Sequence, residues 1–449
     1  QSSAGAGAVT QTAAPPVTSY DEMPYPADAM PQTHPEALAV AALLRGMTPA
    51  QVENCRVLEL GCANGGNLLP MAELLPRSRF VGVDLSSRQI AEGQSMIAAL
   101  ALSNIELFAA DLTTLDDSLG TFDYIICHGL YSWVPRPVQK SILALCARHL
   151  SAQGIAYISY NTLPGFHKQQ IFRGMMRYDT ASIKDPDAAA RRGLALLEFL
   201  SKNTGDEKGV YAQLLREEVE RLRELPLSYL FHEHLETDNH PFYFSEFVAD
   251  AATHGLRFLA EADKSGVELL PKAAQTKLAA LRNDEIRREQ YIDFLRNSTL
   301  RSTLLCRSDL ALRREFDPRT IEGLAVRGTA QPEVEFHDVH TQDVVKCSTR
   351  FGSASVDHPA FRALVLALHR AQPAALPMAE LAARVSEFFG QPMPISEVCE
   401  MINYAQRTGF VLLHTQRRPL ALRVEERPLV TPLTRLLAKS QLGVNSLWH

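Results

Sequence analysis

The chain has 449 residues, room for about three domains of ordinary size. Its content of 46% hydrophobic and 21% charged residues is that of a soluble globular protein, which excludes a chain too polar to bury a core. The 45 Lys and Arg against 51 Asp and Glu leave a net charge of −6, which argues against a strongly electrostatic nucleic-acid binder; no apolar run is long enough to insert in a membrane.

Residues 1–18 are mostly Ala, Gly, Ser, Thr and Pro and are expected to form a disordered tail; no signal peptide is visible. The aromatic and acidic loop Tyr20-Asp-Glu-Met-Pro-Tyr-Pro26 leads to Pro31-Gln-Thr-His-Pro35 and a helix carrying Leu38, Ala41, Ala42 and Leu43. Polar residues between two prolines suit a helix start, where they cap free backbone N–H groups. Next comes Arg56-Val-Leu-Glu-Leu-Gly-Cys-Ala-Asn-Gly-Gly-Asn67. Its apolar strand, 57–60, runs into a turn where Gly61, Gly65 and Gly66 open a helix over 66–75. Ligands of parallel sheets sit at the carboxyl ends of the strands, against the first helix N-terminus. Glycine there leaves room for backbone to approach the ligand. Further strands are predicted over 79–84, 105–108, 122–127 and 154–160, with helices over 86–101 and 136–150 between them. This alternation predicts an α/β fold with a doubly wound parallel sheet.

Two cofactor classes compete for the glycine turn. Gly61-x-Ala63-x-x-Gly66 nearly satisfies the dinucleotide fingerprint, but alanine replaces the glycine that lets a pyrophosphate approach the backbone. S-adenosylmethionine has no pyrophosphate, so alanine is less costly. Three acids also stand at strand ends: Glu59 before the turn, Asp84 closing the second strand and Asp111 after the third. The pattern resembles the class I (Rossmann-like) S-adenosylmethionine-dependent methyltransferases. Five further stretches carry the resemblance: Pro31-Gln-Thr-His-Pro35, Val81-Gly-Val-Asp-Leu-Ser-Ser-Arg-Gln89, Phe122-Asp-Tyr-Ile-Ile-Cys-His-Gly129, Ser132-Trp-Val-Pro135 and Gly154-Ile-Ala-Tyr-Ile-Ser-Tyr-Asn-Thr162. With them, about residues 20–165 are similar to the bacterial family that joins a class I methyltransferase domain to a methyltransferase regulatory domain. The rickettsial protein-lysine methyltransferases that modify an outer-membrane protein belong to that family.

The resemblance implies S-adenosyl-L-methionine as cofactor. It implies that Glu59 orients the loop and the methionine end, that Asp84 takes the two ribose hydroxyls and that Asp111 faces the adenine amino group. It sets Gly61, Cys62, Ala63, Gly65 and Asn67 of the turn, Leu85 and Leu112 beside the later acids, and His128 after the fourth strand against the same cofactor. N-terminal segments of such enzymes often fold over the cofactor, so Gln32, Thr33 and His34 are lid candidates as well as caps.

Beyond Pro164-Gly165 the chain reads as helical, over 166–178, 187–202 and 211–225, and residues 166–240 are expected to form a helical insertion above the carboxyl edge. In Tyr229-Leu-Phe-His-Glu-His-Leu-Glu236, the H-x-H spacing would put His232 and His234 on one face of a strand. No HExxH motif or cysteine pair accompanies them, so a polar loop or a pocket edge presenting His232 and Glu233 is expected rather than a metal site. A helix over 241–255, a strand over 256–260, a charged helical stretch over 272–296 and a strand over 300–306 would then resume the core, which is expected to span 19–165 and 241–308. Residues 309–449 are expected to form a C-terminal α+β winged-helix-like domain, from helices over 361–368, 378–389 and 395–408 and a strand over 410–414. The last of these helices has acids at 397 and 400 and a single arginine, so a regulatory or interaction role is expected rather than DNA binding.

Methyl transfer needs a nucleophile with a free lone pair at near-attack distance and no metal. After the fourth strand stands His128-Gly-Leu-Tyr-Ser-Trp-Val-Pro135, not the (Asp/Asn)-Pro-Pro-(Tyr/Phe) of amide and base amino methyltransferases. Tyr131 and Trp133 offer aromatic walls that suit an alkylammonium, and Tyr160 ends the fifth strand on the same edge. The rival reading of both aromatics is core packing. His128 or a tyrosine hydroxyl could relay the proton. The expected function is methyl transfer to lysine amines of a protein partner; a small-molecule methyltransferase and a cofactor-binding regulator without activity are the alternatives. A homodimer is expected. The seven cysteines are odd in number and lack a C-x-x-C pair, which fits a reducing cytoplasm.

Overall fold

The computed structural model describes residues 19–23, 28–262, 266–341, 343–416, 426 and 429–439. The predicted tail, 1–18, and most of the chain after Arg417 lie outside the described residues. Helices α1 (Ser19–Glu22) and α2 (Pro35–Leu44) precede the predicted alternation. That alternation is β1 (Arg56–Leu60), α3 (Leu68–Leu74), β2 (Arg79–Asp84), α4 (Ser87–Leu100), β3 (Ile105–Ala109), β4 (Phe122–Cys127), α5 (Arg136–His149) and β5 (Leu150–Asn161). The last strand starts earlier than the 154–160 expected, directly from the end of α5. Helices α6 (His167–Thr180), α7 (Pro186–Asn203), α8 (Val210–Arg223) and α9 (Leu227–His234) follow, then α10 (Phe244–Thr253), β6 (Leu256–Glu261), α11 (Lys272–Ala279), α12 (Glu285–Arg296) and β7 (Leu300–Arg307). The charged helical stretch expected over 272–296 consists of α11 and α12.

Seven strands form one sheet in the order β3-β2-β1-β4-β5-β7-β6. Strands β1 to β5 are parallel, and β7 runs antiparallel to both β5 and β6. This is the class I, Rossmann-like doubly wound sheet that the resemblance implies. Strand order reverses between β1 and β4, which opens a crevice at their carboxyl ends. The strands alternate between two apolar layers: Val57, Tyr124 and Tyr157 enter one, and Leu58, Leu60, Ile125 and Ile158 enter the other. Burial on both faces explains why β1 and β4 read as nearly unbroken apolar runs.

The helical segment α6–α9 has its own apolar centre, with Phe172, Met176, Leu197, Leu215, Leu222 and Leu230 buried together. A third core holds α13 (Pro318–Glu322), β8 (Ala325–Gly328), β9 (Gln331–Pro332), β10 (Val345–Thr349), β11 (Gly352–Val356), α14 (Pro359–Ala371), β12 (Ala375–Pro377), α15 (Met378–Phe389), α16 (Ile395–Arg407) and β13 (Val411–His414). Two three-stranded sheets stand there, β12-β8-β13 and β11-β10-β9. Helix α17 (Pro432–Leu437) packs its buried Leu433 into the core of the main sheet. Val40 of α2 belongs to the C-terminal core, while Leu38 and Ala39 face the main sheet, so α2 ties the two together.

Candidate active site

The carboxyl ends of β1 and β2 meet at the glycine turn. Gly61 has φ +76°, and a Cβ there would come within 3.0 Å of Leu130. Ala63 also lies in the left-handed region, at φ 50°, where alanine is strained and glycine would not be. Its backbone N–H donates to Asp84 Oδ2 at 2.8 Å, while Ser86 N–H donates to Oδ1 at 2.9 Å. The turn is therefore folded onto the acid that ends β2. Burial raises the Asp84 carboxyl above its usual range, against backbone hydrogen bonds from Ser86, Ala63 and Leu85 that lower it. Each of its oxygens keeps acceptor capacity for a diol. Leu85, next in the chain, is half-buried, and Gly65 takes φ +78°.

Glu59 is buried at the end of β1. Asn67 donates to its Oε1 at 2.8 Å and to Thr33 Oγ1 at 3.0 Å, and accepts from Met30 N–H at 2.9 Å. Asn67 thus clamps the N-terminal segment to Glu59 and supports the site rather than lining it. Glu59 Oε2 is buried without a hydrogen-bond partner among the described residues. Burial pushes this carboxyl up to about 7, with Asn67 lowering it and Asp84 raising it. An ammonium would satisfy the orphan oxygen, so these residues fit the amino acid end of the implied cofactor. Cys62 is buried, and burial holds its thiol well above the ordinary range.

Other expected residues take more modest places. His34 caps α2, with Nδ1 accepting from Glu36 N–H at 3.1 Å, as the capping reading has it. Thr33 bonds to Asn67, and Gln32 is half-buried beside Met30. Asp111 is exposed and accepts from Thr113 N–H and Oγ1–H, both at 2.8 Å. Leu112 is buried in the sheet core. His128 Nδ1 lies 3.0 Å from Tyr157 Oη, which donates to Ser302 Oγ at 2.9 Å. Burial lowers His128 to about 4, so its ring is neutral at physiological pH.

The aromatic wall after β4 is not what the sequence suggests. Tyr131 and Tyr160 are both 1% exposed and pack with Phe242 and Phe247, the Tyr160 and Phe247 rings stacked at 4.1 Å. Both pack in the core, which is the rival reading of Tyr131, because the antiparallel end of the sheet needs large rings to cover it. Tyr160 Oη is also bonded to Thr303 at 3.1 Å. Trp133 is half-buried, and the Arg173 guanidinium of α6 lies 5.1 Å from its ring centre. One face of the ring expected to wall a substrate ammonium thus carries a resident cation, which a local reading of the strand-four loop could not find. Arg173 is held by the carbonyl oxygens of Glu233 and Glu236.

The H-x-H stretch is a helix, α9, not a strand or loop. Residues two apart on a helix point about 200° away from each other, so the imidazoles do not share a face. His232 Nδ1 lies 3.0 Å from Glu236 Oε1, Nε2 lies 2.6 Å from the Met23 carbonyl, and the ring stacks on Tyr20 at 4.4 Å. His234 is buried beside Glu218, and burial pushes it down to about 3. Asp21 accepts from Ser86 Oγ–H at 2.5 Å and, through its carbonyl, from Arg88 at 2.8 Å. Residues 19–23 therefore bridge from α9 to the loop that follows Asp84. The spacing in this segment carries no signal for those contacts.

Known proteins share this architecture. The family described as "Methyltransferase domain" matches residues 57–154, and that described as "Predicted methyltransferase regulatory domain" matches residues 226–307. The second match spans β6 and β7, which complete the main sheet. Uncharacterized protein RP028 of Rickettsia prowazekii is 39% identical over 241 residues, 54% of this chain and 96% of that protein. Uncharacterized protein RP789 of the same organism is 42% identical over 322 residues, 71% of this chain, and the match spans 58% of RP789. The structure of PKMT2 from Rickettsia typhi in complex with AdoHcy has a TM-score of 0.81 and 29% identity, covering 93% of this chain and 82% of that one.

Proposed function

This chain belongs to the family of class I S-adenosylmethionine-dependent methyltransferases that carry a methyltransferase regulatory domain, and from that premise we propose that it methylates lysine side-chain amines of a protein. The cofactor is S-adenosyl-L-methionine, and the solved PKMT2 complex holds AdoHcy. The observation that carries the methyl-transfer part of the reading is the glycine turn folded onto Asp84, with an unpartnered Glu59 oxygen buried at the end of the neighbouring strand. Glu59 would hold the ammonium and Asp84 the ribose hydroxyls, with Asp111 and Leu112 bordering the adenine. When bound, the cofactor supplies an electrophilic methyl group on sulfur.

A lysine amine starts with a pKa of about 10.4 and must lose a proton to react. His128 is uncharged and adds no repulsion to an incoming ammonium. With Nδ1 bonded to Tyr157, proton acceptance falls to Nε2. The likeness to PKMT2 covers 93% of this chain, so it takes in the additions as well as the sheet, which supports a macromolecular acceptor. On this reading residues 166–240 shape the acceptor side, and residues 309–449, in winged-helix-like order, are a regulatory or interaction module. A homodimer and a cytoplasmic site of action belong to the same reading; the seven cysteines, all free, suit a reducing compartment.

Incubating the protein with methyl-labelled S-adenosylmethionine and a cell lysate tests the reading. Label should appear in protein bands. Label confined to extractable small molecules, or none at all, would overturn it.

A further inference from the structure

A cavity of about 720 Å³ opens inside the helical segment, away from the glycine turn, between α6, α7, α9 and the chain that follows α9. Its walls include Gln170, Arg173, Arg177, Tyr178, Thr237 and Asn239. No Asp or Glu lines it among the described residues, although the whole chain carries −6. Two arginines one helical turn apart on α6 share this wall. Arg177 donates to the Thr237 carbonyl at 3.2 Å and has no ion pair among the described residues. Arg173 is fixed by two carbonyl oxygens and the Trp133 ring, not by a carboxylate.

The acids nearest Arg173 supply little compensation. Glu236 is engaged by Ser19 and His232. Glu233 is pushed up to about 7 by burial, so part of its charge is lost at neutral pH. Asn239, also on the wall, has both side-chain polar atoms buried without a hydrogen-bond partner among the described residues. Turned toward the cavity, the unused Asn239 Nδ2–H group would add a donor beside two guanidinium groups, with Oδ1 turned away, an arrangement that suits an acceptor-rich anion. A carboxylate fits, because a guanidinium presents parallel N–H donors to its two oxygens.

The cavity also adjoins the acceptor side of the sheet. Its Arg173 rests on Trp133 of the loop after β4, and His240, next to Asn239, donates its backbone N–H to the Ser132 carbonyl of that loop at 2.7 Å. We propose that this cavity is a specificity subsite that binds the carboxylate of an aspartate or glutamate near the target lysine in the protein acceptor, with Arg177 and Asn239 as its contacts and Arg173 linking it to the strand-four loop. The proposal rests on the protein-lysine reading above.

Two measurements separate the subsite from that reading. In the first, Trp448 is replaced by Phe, leaving Trp133 as the remaining indole of the chain's two. Its emission is followed at constant ionic strength while N-acetyl-glutamate amide, N-acetyl-glutamine amide or inorganic phosphate is added. The glutamate compound should give a saturable change at least fivefold tighter than the glutamine compound, and Arg177→Glu should abolish it while leaving S-adenosylhomocysteine affinity unchanged. Calorimetry on the unaltered chain provides the same comparison without Trp448→Phe. Equal response to glutamate and glutamine would overturn the subsite, as would tighter binding of phosphate, which would assign the cavity to phosphate instead. In the second, lysine peptides bearing Glu or Gln near the lysine are methylated. Arg177→Glu should raise KM for the Glu peptides at least fivefold with kcat largely kept. Methylation indifferent to both changes would sink the subsite and keep the reading. Carboxylate binding without lysine methylation would sink the reading and keep the carboxylate site.

Discussion

The two halves of the carboxyl edge are built by opposite means. At β1 and β2 the backbone is held open by polar contacts, Ala63 N–H on Asp84 and Asn67 on Glu59, and one buried Glu59 oxygen has no hydrogen-bond partner among the described residues. At β4 and β5 the same edge is closed by packed rings, Tyr131, Tyr160, Phe242 and Phe247, and by Arg173 laid over Trp133. A buried, unsatisfied polar group costs stability in the free protein and is recovered by a ligand. A packed ring contributes whether or not ligand is present. Polar residues on the first half should therefore govern affinity, and aromatic residues on the second should govern stability.

The largest expected effect would break that contrast if it failed. Tyr131→Ala should lose about 3–5 kcal/mol of stability, as truncation of a buried aromatic does, with a lower thermal midpoint. Tyr131→Phe keeps the ring and should keep both fold and methyl transfer. A folded Tyr131→Phe variant without activity would return the hydroxyl to catalysis. Next in size, Asp84→Ala should weaken S-adenosylhomocysteine binding by roughly 1–3 kcal/mol in calorimetry, and should lower the thermal midpoint of the free protein less than Tyr131→Ala does, because the Ala63 and Ser86 N–H groups lose their acceptor. Unchanged affinity would remove Asp84 from the site.

The third expectation is a pH dependence. Glu59 is raised to about 7 in the folded protein, so its protonated form is favoured there. Its contribution to the stability of the free protein is present below the ordinary carboxyl range and is lost as pH rises through about 7. Ligand binding has the opposite sign, because an ammonium needs the carboxylate. Affinity for S-adenosylhomocysteine should fall as pH drops below about 7, by up to about tenfold, or 1.4 kcal/mol, per pH unit. Glu59→Gln should bind weakly and show a flat profile over that range. A wild-type profile just as flat would count against the ammonium contact. The smallest effect belongs to Trp133→Leu, which removes the ring under Arg173 and should cost about 0.5–1 kcal/mol of stability, read by urea denaturation. No loss would mean the stack is incidental.

The sequence made the sheet legible for a physical reason. Parallel strands buried on both faces are apolar at almost every position, and the glycines and acids at their ends punctuate them. Helix α9 was hidden because histidine occupies a place on its apolar stripe. Leu227, Leu230, Phe231 and His234 recur at helical spacing, and His234 is buried as Leu230 is, with Leu227 and Phe231 half-buried beside them. Tyr157 was passed over for Tyr160, yet it is Tyr157 that meets His128, since residues three apart on a strand face opposite sides. Arg173 could not be found from sequence at all: its meeting with Trp133 depends on how α6 folds back over the sheet, a contact with no local trace.

The most direct test of the central claim is the chemical identity of the methylated product. Protein labelled by this enzyme with S-adenosylmethionine would be hydrolysed to amino acids and separated by chromatography, with Asp84→Ala run alongside. The account predicts label co-migrating with N-methylated lysine, reduced at least about fivefold in the Asp84→Ala reaction at limiting cofactor. Label on another amino acid, or lysine label undiminished by Asp84→Ala, would contradict it.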